Sequence, residues 1–239
     1  MKPRRWVLRS YTEHEQELAT SLTQQLGLYP AVGRLLVARG IETPAEAEGF
    51  LHPSLEALHD PLLMQDMPLA LDRLEQAISR GERILIYGDY DVDGTTAVAL
   101  LYRYLRSHCL SEDHLAYYIP DRYEEGYGIT RQGIDYAHSI GAGLIISVDT
   151  GIKAHEEIRY ARDLGMDFII CDHHTPDPHL PPATAILNPK RQDNTYPFTD
   201  LSGCGVAFKF MQGLALRRSL PFDTLLPLLE LLVLSIAQD

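Results

Sequence analysis

The sequence predicts an α/β fold, a mostly parallel sheet flanked by helices, with a helical N-terminal segment ahead of it. Three observations predict this. Short runs rich in Ile, Leu and Val at 84–87, 115–119, 144–148 and 168–171 alternate with stretches whose apolar residues recur at helical spacing. The runs are apolar on successive residues, as expected of strands buried on both faces of a parallel sheet. Three of them end in an acid, at Asp89, Asp149 and Asp172, and parallel strands bring their carboxyl ends to one edge.

In chain order, Leu18, Leu22 and Leu26 share one helical face, and Val32, Leu35 and Leu36 form a second stripe closed by Gly40. Thr43-Pro44-Ala45-Glu46 has the capping-box pattern with proline at the first helical position. Leu71, Leu74 and Ile78 mark a helix stopped by Gly81, which delivers the chain to a strand at Arg83 or Ile84. Region 1–81 is therefore expected to be helical and free of candidate ligand clusters, and 82–239 to form the α/β domain. After Gly94, the residues Ala97, Leu100, Leu101, Tyr104 and Leu105 predict a helix, and Pro120 ends the strand at 115–119. Helices over 131–140 and 153–164, closed by Gly141 and Gly165, lead to the strands ending at Asp149 and Asp172. A loop containing Pro176, Pro178, Pro181 and Pro182 leads to Ala185-Ile186-Leu187-Asn188-Pro189, then to Ser202-Gly203-Cys204-Gly205 and another helix. The apolar stretch 225–236 is interrupted by Pro227 and Glu230. It falls short of the roughly 20 residues that cross a bilayer and is expected to be a buried helix.

A chain of 239 residues that is 45% hydrophobic can bury a substantial core. The formal net charge of -12 argues against a protein that holds nucleic acid on a broad basic surface. Local recognition is still open, because bound cations invert the sign of an acidic site. Cys109, Cys171 and Cys204 have neither paired nor zinc-finger spacing, so reduced thiols are expected. Met1-Lys2-Pro3-Arg4-Arg5-Trp6 is basic but no apolar run follows it, so no signal peptide, a cytoplasmic location and no membrane partner are expected.

The chemistry concentrates where the strands end. Asp89, Asp91 and Asp93 alternate in Gly88-Asp89-Tyr90-Asp91-Val92-Asp93-Gly94, Asp149 follows the third run, and Asp172-His173-His174 follows the fourth. That many carboxylates in one cleft repel one another unless divalent cations intervene. Carboxylate oxygens suit hard cations such as Mg²⁺, and an added imidazole tilts the preference toward Mn²⁺.

The succession Asp89-Tyr90-Asp91-Val92-Asp93-Gly94, Asp149-Thr150-Gly151, Asp172-His173-His174 and Ser202-Gly203-Cys204-Gly205 resembles the motifs of the DHH phosphoesterase superfamily. Within it, Pro120-Asp121-Arg122, Glu125-Gly126-Tyr127-Gly128 and the N-terminal Phe50-Leu51-His52-Pro53 are most similar to bacterial single-strand-specific exonucleases. The resemblance implies 5′ to 3′ degradation of single-stranded DNA to mononucleotides in repair and recombination, with two Mn²⁺ or Mg²⁺ ions. It also implies a helicase and a single-strand-binding protein as partners. Carried over by position, Asp89, Asp91, Asp93, Asp149 and His173 are expected as metal ligands, Asp149 bridging both ions. Asp239, at the end of Leu231 to Gln238, is expected as a further ligand. His174 is expected to face the scissile phosphate and Asp172 to orient the histidine pair from behind. The catalytic set is thus Asp91, Asp93, Asp149, His173 and His174. Relatives continue into a DHH-associated domain and an oligonucleotide-binding fold, so this chain is expected to be a catalytic portion with little processive activity of its own.

Bland readings stand beside these. An acid at a strand end can simply cap a helix. Ser202, Gly203 and Gly205 are phosphate candidates as a helix start with free N–H groups, or only a flexible start. Arg122 and Lys209 are candidate phosphate contacts or surface cations, and Tyr123 and Tyr127 either stack bases or pack locally. The functional alternatives are a DHH phosphodiesterase acting on short oligonucleotides or cyclic dinucleotides, more distantly an inorganic pyrophosphatase, or a catalytically inactive replication scaffold that would have lost its ligands.

Overall fold

A computed structural model describes residues 7–238, which divide at Leu58 and His59 into two compact units. The expectations placed on Met1 to Trp6 and on Asp239 lie outside the described residues. In the first unit, α1 (Glu13–Leu26), α2 (Pro30–Ala38) and α3 (Pro44–Leu51) close around Ala19, Leu22, Leu36, Val37 and Ala47. Thr12 and Thr43 each complete a capping box, with Glu15 and Glu46. Leu36 and Val37 face inward, whereas Leu35, expected in the apolar stripe, is 53% exposed. Gly33 lets α2 approach α1, since a Cβ there would lie 2.5 Å from the Ala19 carbonyl oxygen.

The second unit begins with α4 (Met67–Arg80), β1 (Arg83–Gly88), α5 (Val92–His108) and β2 (Leu115–Tyr118). It continues through α6 (Arg131–Ser139), β3 (Ala142–Val148), α7 (His155–Asp163), β4 (Asp167–Cys171) and β5 (Ala185–Leu187), and ends with α8 (Gly203–Arg217) and α9 (Leu229–Gln238). The five strands form one wholly parallel sheet in the order β2-β1-β3-β4-β5. Its registers pair Leu85 with Ala116 and Ile145, Ile146 with Ile169, and Ile170 with Ile186. The order reverses between β1 and β3, and ligands of open parallel sheets bind outside the strand ends at such a switch point.

Alternation along each strand distributes side chains to two cores. Ile84, Ile86, Leu144, Ile146 and Ile169 pack in the larger core with residues of α4, α5 and α8. Leu85, Tyr87, Ile145, Phe168 and Ile170 pack in the other with residues of α6 and α7.

Two expectations are corrected. The α4 helix belongs to the sheet rather than to the N-terminal helices, because its Met67, Ala70, Leu71, Leu74 and Ala77 are fully buried in the larger core. Arg73, on the same helix, reinforces this by donating to Glu82, Asp167 and the Gly143 carbonyl. The stretch 225–236 is not one buried helix. Pro227 breaks it into a 3-10 turn (Leu226–Leu228) and α9, which buries Ser235 and leaves Val233, Leu234 and Ile236 exposed. No helix among the described residues is long and apolar enough to cross a membrane.

Because α4 supplies a wall of the sheet's core, Leu74→Ala is expected to destabilise the second unit by about 2–5 kcal/mol. Urea denaturation followed by circular dichroism checks this; a loss under about 0.5 kcal/mol, the range of an ordinary surface change, would show that α4 does not complete the core.

Candidate metal centre

Each acid sits where a strand has just ended. Asp89 follows β1, Asp149 follows β3 and Asp172 follows β4, so the switch point collects them. Asp149 takes a left-handed backbone conformation (φ 59°) and donates its N–H to the Cys171 carbonyl at 2.9 Å, which turns its carboxylate back over the strand ends. Two glycines make room. A Cβ on Gly94 would lie 2.6 Å from the Asp89 Cβ, and one on Gly203 would lie 2.5 Å from the Asp149 Cβ.

The side chains assemble into two groups whose donor atoms lie within 4.8 Å of one another: Asp89, Asp91 and Asp149, and Asp149, His173 and His174. Asp149 belongs to both. It is buried, and the His173 Nε2 lies 3.2 Å from its Oδ1. Burial pushes its carboxyl up to about 7, a rise that Asp93 and Asp91 add to and the His173 hydrogen bond opposes. Burial likewise raises Asp89, against the pull of the Tyr90 N–H that it accepts. Among the described residues no lysine or arginine pairs with Asp89, Asp91, Asp93 or Asp149. Oxygen-rich, buried and without a basic counter-ion, this set fits hard divalent cations.

Asp93 does different work. Its carboxylate accepts from the N–H groups of Gly203 at 2.6 Å and Cys204 at 2.8 Å and from the Ser235 hydroxyl at 2.7 Å. It therefore ties α5 to the start of α8 and to α9, and it stands 3.7 Å from the His173 Nε2, outside both donor groups. Asp91 caps α5 by accepting the Gly94 N–H while also reaching the first group.

Asp172 lies behind the histidines, as expected. Its carboxylate accepts from the N–H groups of Ile152, His173 and His174 and sits 2.7 Å from the His174 Nδ1. Burial alone would raise this carboxyl, but the His174 bond and charge and the backbone donors outweigh it and hold it below the ordinary value. The Asp172 bond in turn raises His174 above the usual imidazole value, against a smaller opposing effect of burial. The outer nitrogen of His174, Nε2, lies 3.3 Å from the Tyr127 hydroxyl.

The phosphate candidates fare unevenly. The Gly203 and Cys204 N–H groups are taken by Asp93, and the Gly205 N–H by the Ser202 hydroxyl, which also bonds Ser235. The Gly203 N–H thus meets a protein carboxylate, and Ser202 and Gly205 bond to protein hydroxyls, rather than to a ligand phosphate. Lys209 is buried; its ammonium donates to the His59 carbonyl and to Gln212, and burial lowers it to about 8. Arg122 is exposed at the site, its guanidinium 5.2 Å from the Tyr90 ring. Tyr90 meets Tyr127 edge to face, and Tyr127 meets His174 in the same way. Tyr123 is 94% exposed.

Ser235 was not anticipated, although a lone hydroxyl inside the apolar stretch 225–236 was a legible signal. Lys153 and Lys190 were also missed. Lys153 lines a cleft beside His174, and the Lys190 charge is close enough to oppose the rise of His174. Neither carries a motif.

Comparison with known proteins agrees with this arrangement. Residues 83–236 match the model of the DHH family, N-terminal domain. The chain is similar to the single-stranded-DNA-specific exonuclease RecJ of Bacillus subtilis, with 46% identity over 84% of this chain and 25% of that protein. Against RecJ of Escherichia coli the identity is 36%, over 89% of this chain and 37% of that protein. The chain therefore spans between a quarter and about two fifths of the length of these relatives. Among solved structures, RecJ of Thermus thermophilus in complex with Mn²⁺ superposes with a TM-score of 0.67 at 27% identity, covering 86% of this chain and 28% of that one. With its parallel sheet, its strand-end acids and a family match over most of its length, the chain belongs to the DHH family.

Proposed function

We propose that this chain carries the catalytic centre of a RecJ-type exonuclease, which degrades single-stranded DNA from the 5′ end to mononucleotides using two Mn²⁺ or Mg²⁺ ions. The observation that supports it most is Asp149, one buried carboxylate common to two donor groups. One carboxylate shared by both donor groups suits two ions held about 3.5–4 Å apart, the spacing of two-metal phosphodiester hydrolysis. Asp89, Asp91 and Asp149 would hold one cation. Asp149 and His173 would hold the other, with Asp93 offering an acceptor site left over from its three protein bonds. Asp239, outside the described residues, keeps its expected place as a further ligand. When bound, the ions supply polarisation of the phosphoryl oxygen and neutralisation of charge in an in-line displacement.

The remaining steps fall to side chains. His174, fixed through Nδ1 by Asp172, presents Nε2–H toward a non-bridging phosphate oxygen. Arg122, held over Tyr90, adds a second positive group at the rim. A role in DNA repair and recombination, with a helicase and a single-strand-binding protein as partners in the cytoplasm, follows from the likeness to RecJ.

The protonation of Asp149 yields a pH dependence. In chelator its folded-state value lies near 7, above the roughly 4 of an unfolded aspartate. The folded chain then holds a proton that the unfolded chain has released, so stability falls as pH rises from about 4 to about 7. The raised His174 contributes a further loss at pH above its unfolded value of about 6.5. Urea midpoints in EDTA are expected to drop across the lower window, Asp149→Asn to remove most of that drop, and Mn²⁺ at pH 7.5 to recover it. A wild-type midpoint unchanged between pH 5 and 7 in EDTA would contradict a buried, proton-retaining Asp149.

Calorimetric titration with Mn²⁺ is expected to find two ions per chain, Asp149→Ala to lose both, and Asp172→Ala to bind about 10–100-fold more weakly. With Mn²⁺, a longer form that includes this chain is expected to remove nucleotides from the 5′ end of labelled single strands while duplexes persist, this chain alone to release few, and Asp149→Ala in the longer form to stop the release. Preference for dinucleotides over longer strands would transfer the reading to a short-oligonucleotide phosphodiesterase.

A further inference from the structure

β1, β3 and β4 are each followed by an acid of the metal centre, but β5 is followed by Asn188-Pro189, a pair with no part in the site so far. Asn188 is fully buried, and both ends of its amide are engaged. Nδ2 donates to the His174 carbonyl at 2.9 Å, and Oδ1 accepts the Lys190 N–H at 2.8 Å. The two partners fix that orientation, because a carbonyl can only accept and a backbone N–H can only donate. An ionised aspartate could not make the first bond, which sets this strand end apart from the three acids.

The amide stands on a rigid base. Pro189 restricts the backbone between Asn188 and Lys190, whose N–H closes a turn on the Asn188 side chain. Behind the turn, the buried Arg191 donates to the Ile186 carbonyl and to Asp66, and the Asn194 side chain donates to the Pro189 carbonyl. His174 is therefore held from two directions. Asp172 takes its N–H and lies against Nδ1, whereas Asn188 takes its carbonyl. Past His174 the chain enters loop 175–180, which is mostly exposed and, among the described residues, makes no backbone hydrogen bond. Asn188 thus ties the chain down at the last residue before that loop.

Resting on the reading of His174 as a donor to the substrate phosphate, we propose that Asn188 is a positioning residue for the nuclease reaction: its hold on the His174 carbonyl keeps the imidazole aimed at the phosphate. Asp172 sets which ring nitrogen faces outward, and Asn188 sets where the ring stands. A donor serves a developing charge only if it is in place beforehand, and a displacement of about 1 Å is enough to slow turnover strongly. Asn188 acts through His174 and touches neither the metal ligands' donor atoms nor the strand.

The test is a double-mutant cycle in a longer form that includes this chain, with Mn²⁺ and single strands. Asn188→Ala is expected to lower kcat about tenfold with KM nearly unchanged, and His174→Ala to lower it about 100-fold. The double variant is expected to be no slower than His174→Ala, since a residue acting through the imidazole has nothing left to position. In this chain, calorimetry is expected to find Asn188→Ala binding Mn²⁺ as the wild type does, in contrast to Asp172→Ala. Thermal midpoints above the assay temperature show that the variants are folded; if Asn188→Ala is not, Asn188→Thr, closer in volume, goes through the same cycle. Turnover undiminished by the substitution at Asn188, or slowed equally on the wild-type and His174→Ala backgrounds, would overturn the positioning role and leave the nuclease reading standing. Undiminished turnover by His174→Ala would overturn both the phosphate-facing histidine and the role given to Asn188, as would a wild-type longer form that cleaves no single strand.

Discussion

The structure depends on accommodating negative charge at one point. The β1/β3 switch places Asp89, Asp91, Asp93 and Asp149 together, with Asp172 next to them, and four of these five are buried. Ionised carboxylates in so confined a space are costly unless each receives donors or a cation. The chain meets this unequally. Asp93 and Asp172 are surrounded by protein donors and are the structural members of the set. Asp149 has an imidazole beside it but no lysine or arginine, and burial drives it, like Asp89, toward its protonated form. The difference marks where protein donors end and where a divalent cation is needed.

That division explains why the helices stand where they do. The start of α8 offers free N–H groups, an arrangement that often binds phosphate. Here a carboxylate of α5 occupies it, and Ser235 of α9 closes the same acid from another side. Three helices from distant parts of the sequence are thereby locked together within a few ångströms of Asp149. Substitution at Gly203 would be felt at the metal centre, because a side chain there collides with Asp149 itself. A motif that reads in sequence as a ligand grip is, in the fold, the brace that holds the Asp93 carboxylate in place.

The strands were legible because a doubly covered parallel strand is apolar on successive residues, and the acids after Gly88, Val148 and Cys171 were legible because each breaks such a run. Their convergence followed from strand polarity alone. What escaped was whatever depends on partners far away in sequence. The place of α4 could not be read from its own apolar face, since Leu71 and Leu74 look alike whether they meet another helix or a sheet. Lys209 looked like a surface cation, but a carbonyl at His59 and the amide of Gln212 receive it in the interior. The exposed face of α9 was obscured by its uniform hydrophobicity, which gives no hint of which side packs.

Adjacent histidines with nearly identical sequence context acquire different roles through one carboxylate. Asp172 takes the backbone N–H of both, and the His174 ring lies along its side chain, with Nδ1 at 2.7 Å. That bond fixes which nitrogen of His174 faces outward and favours its charged form, a poor metal ligand but a good donor to phosphate. His173 instead directs Nε2 toward Asp149 and Asp93, into the acid cluster. On the proposed function, the ring that would accept a cation and the ring that would donate to an anion stand 4.7 Å apart between centroids.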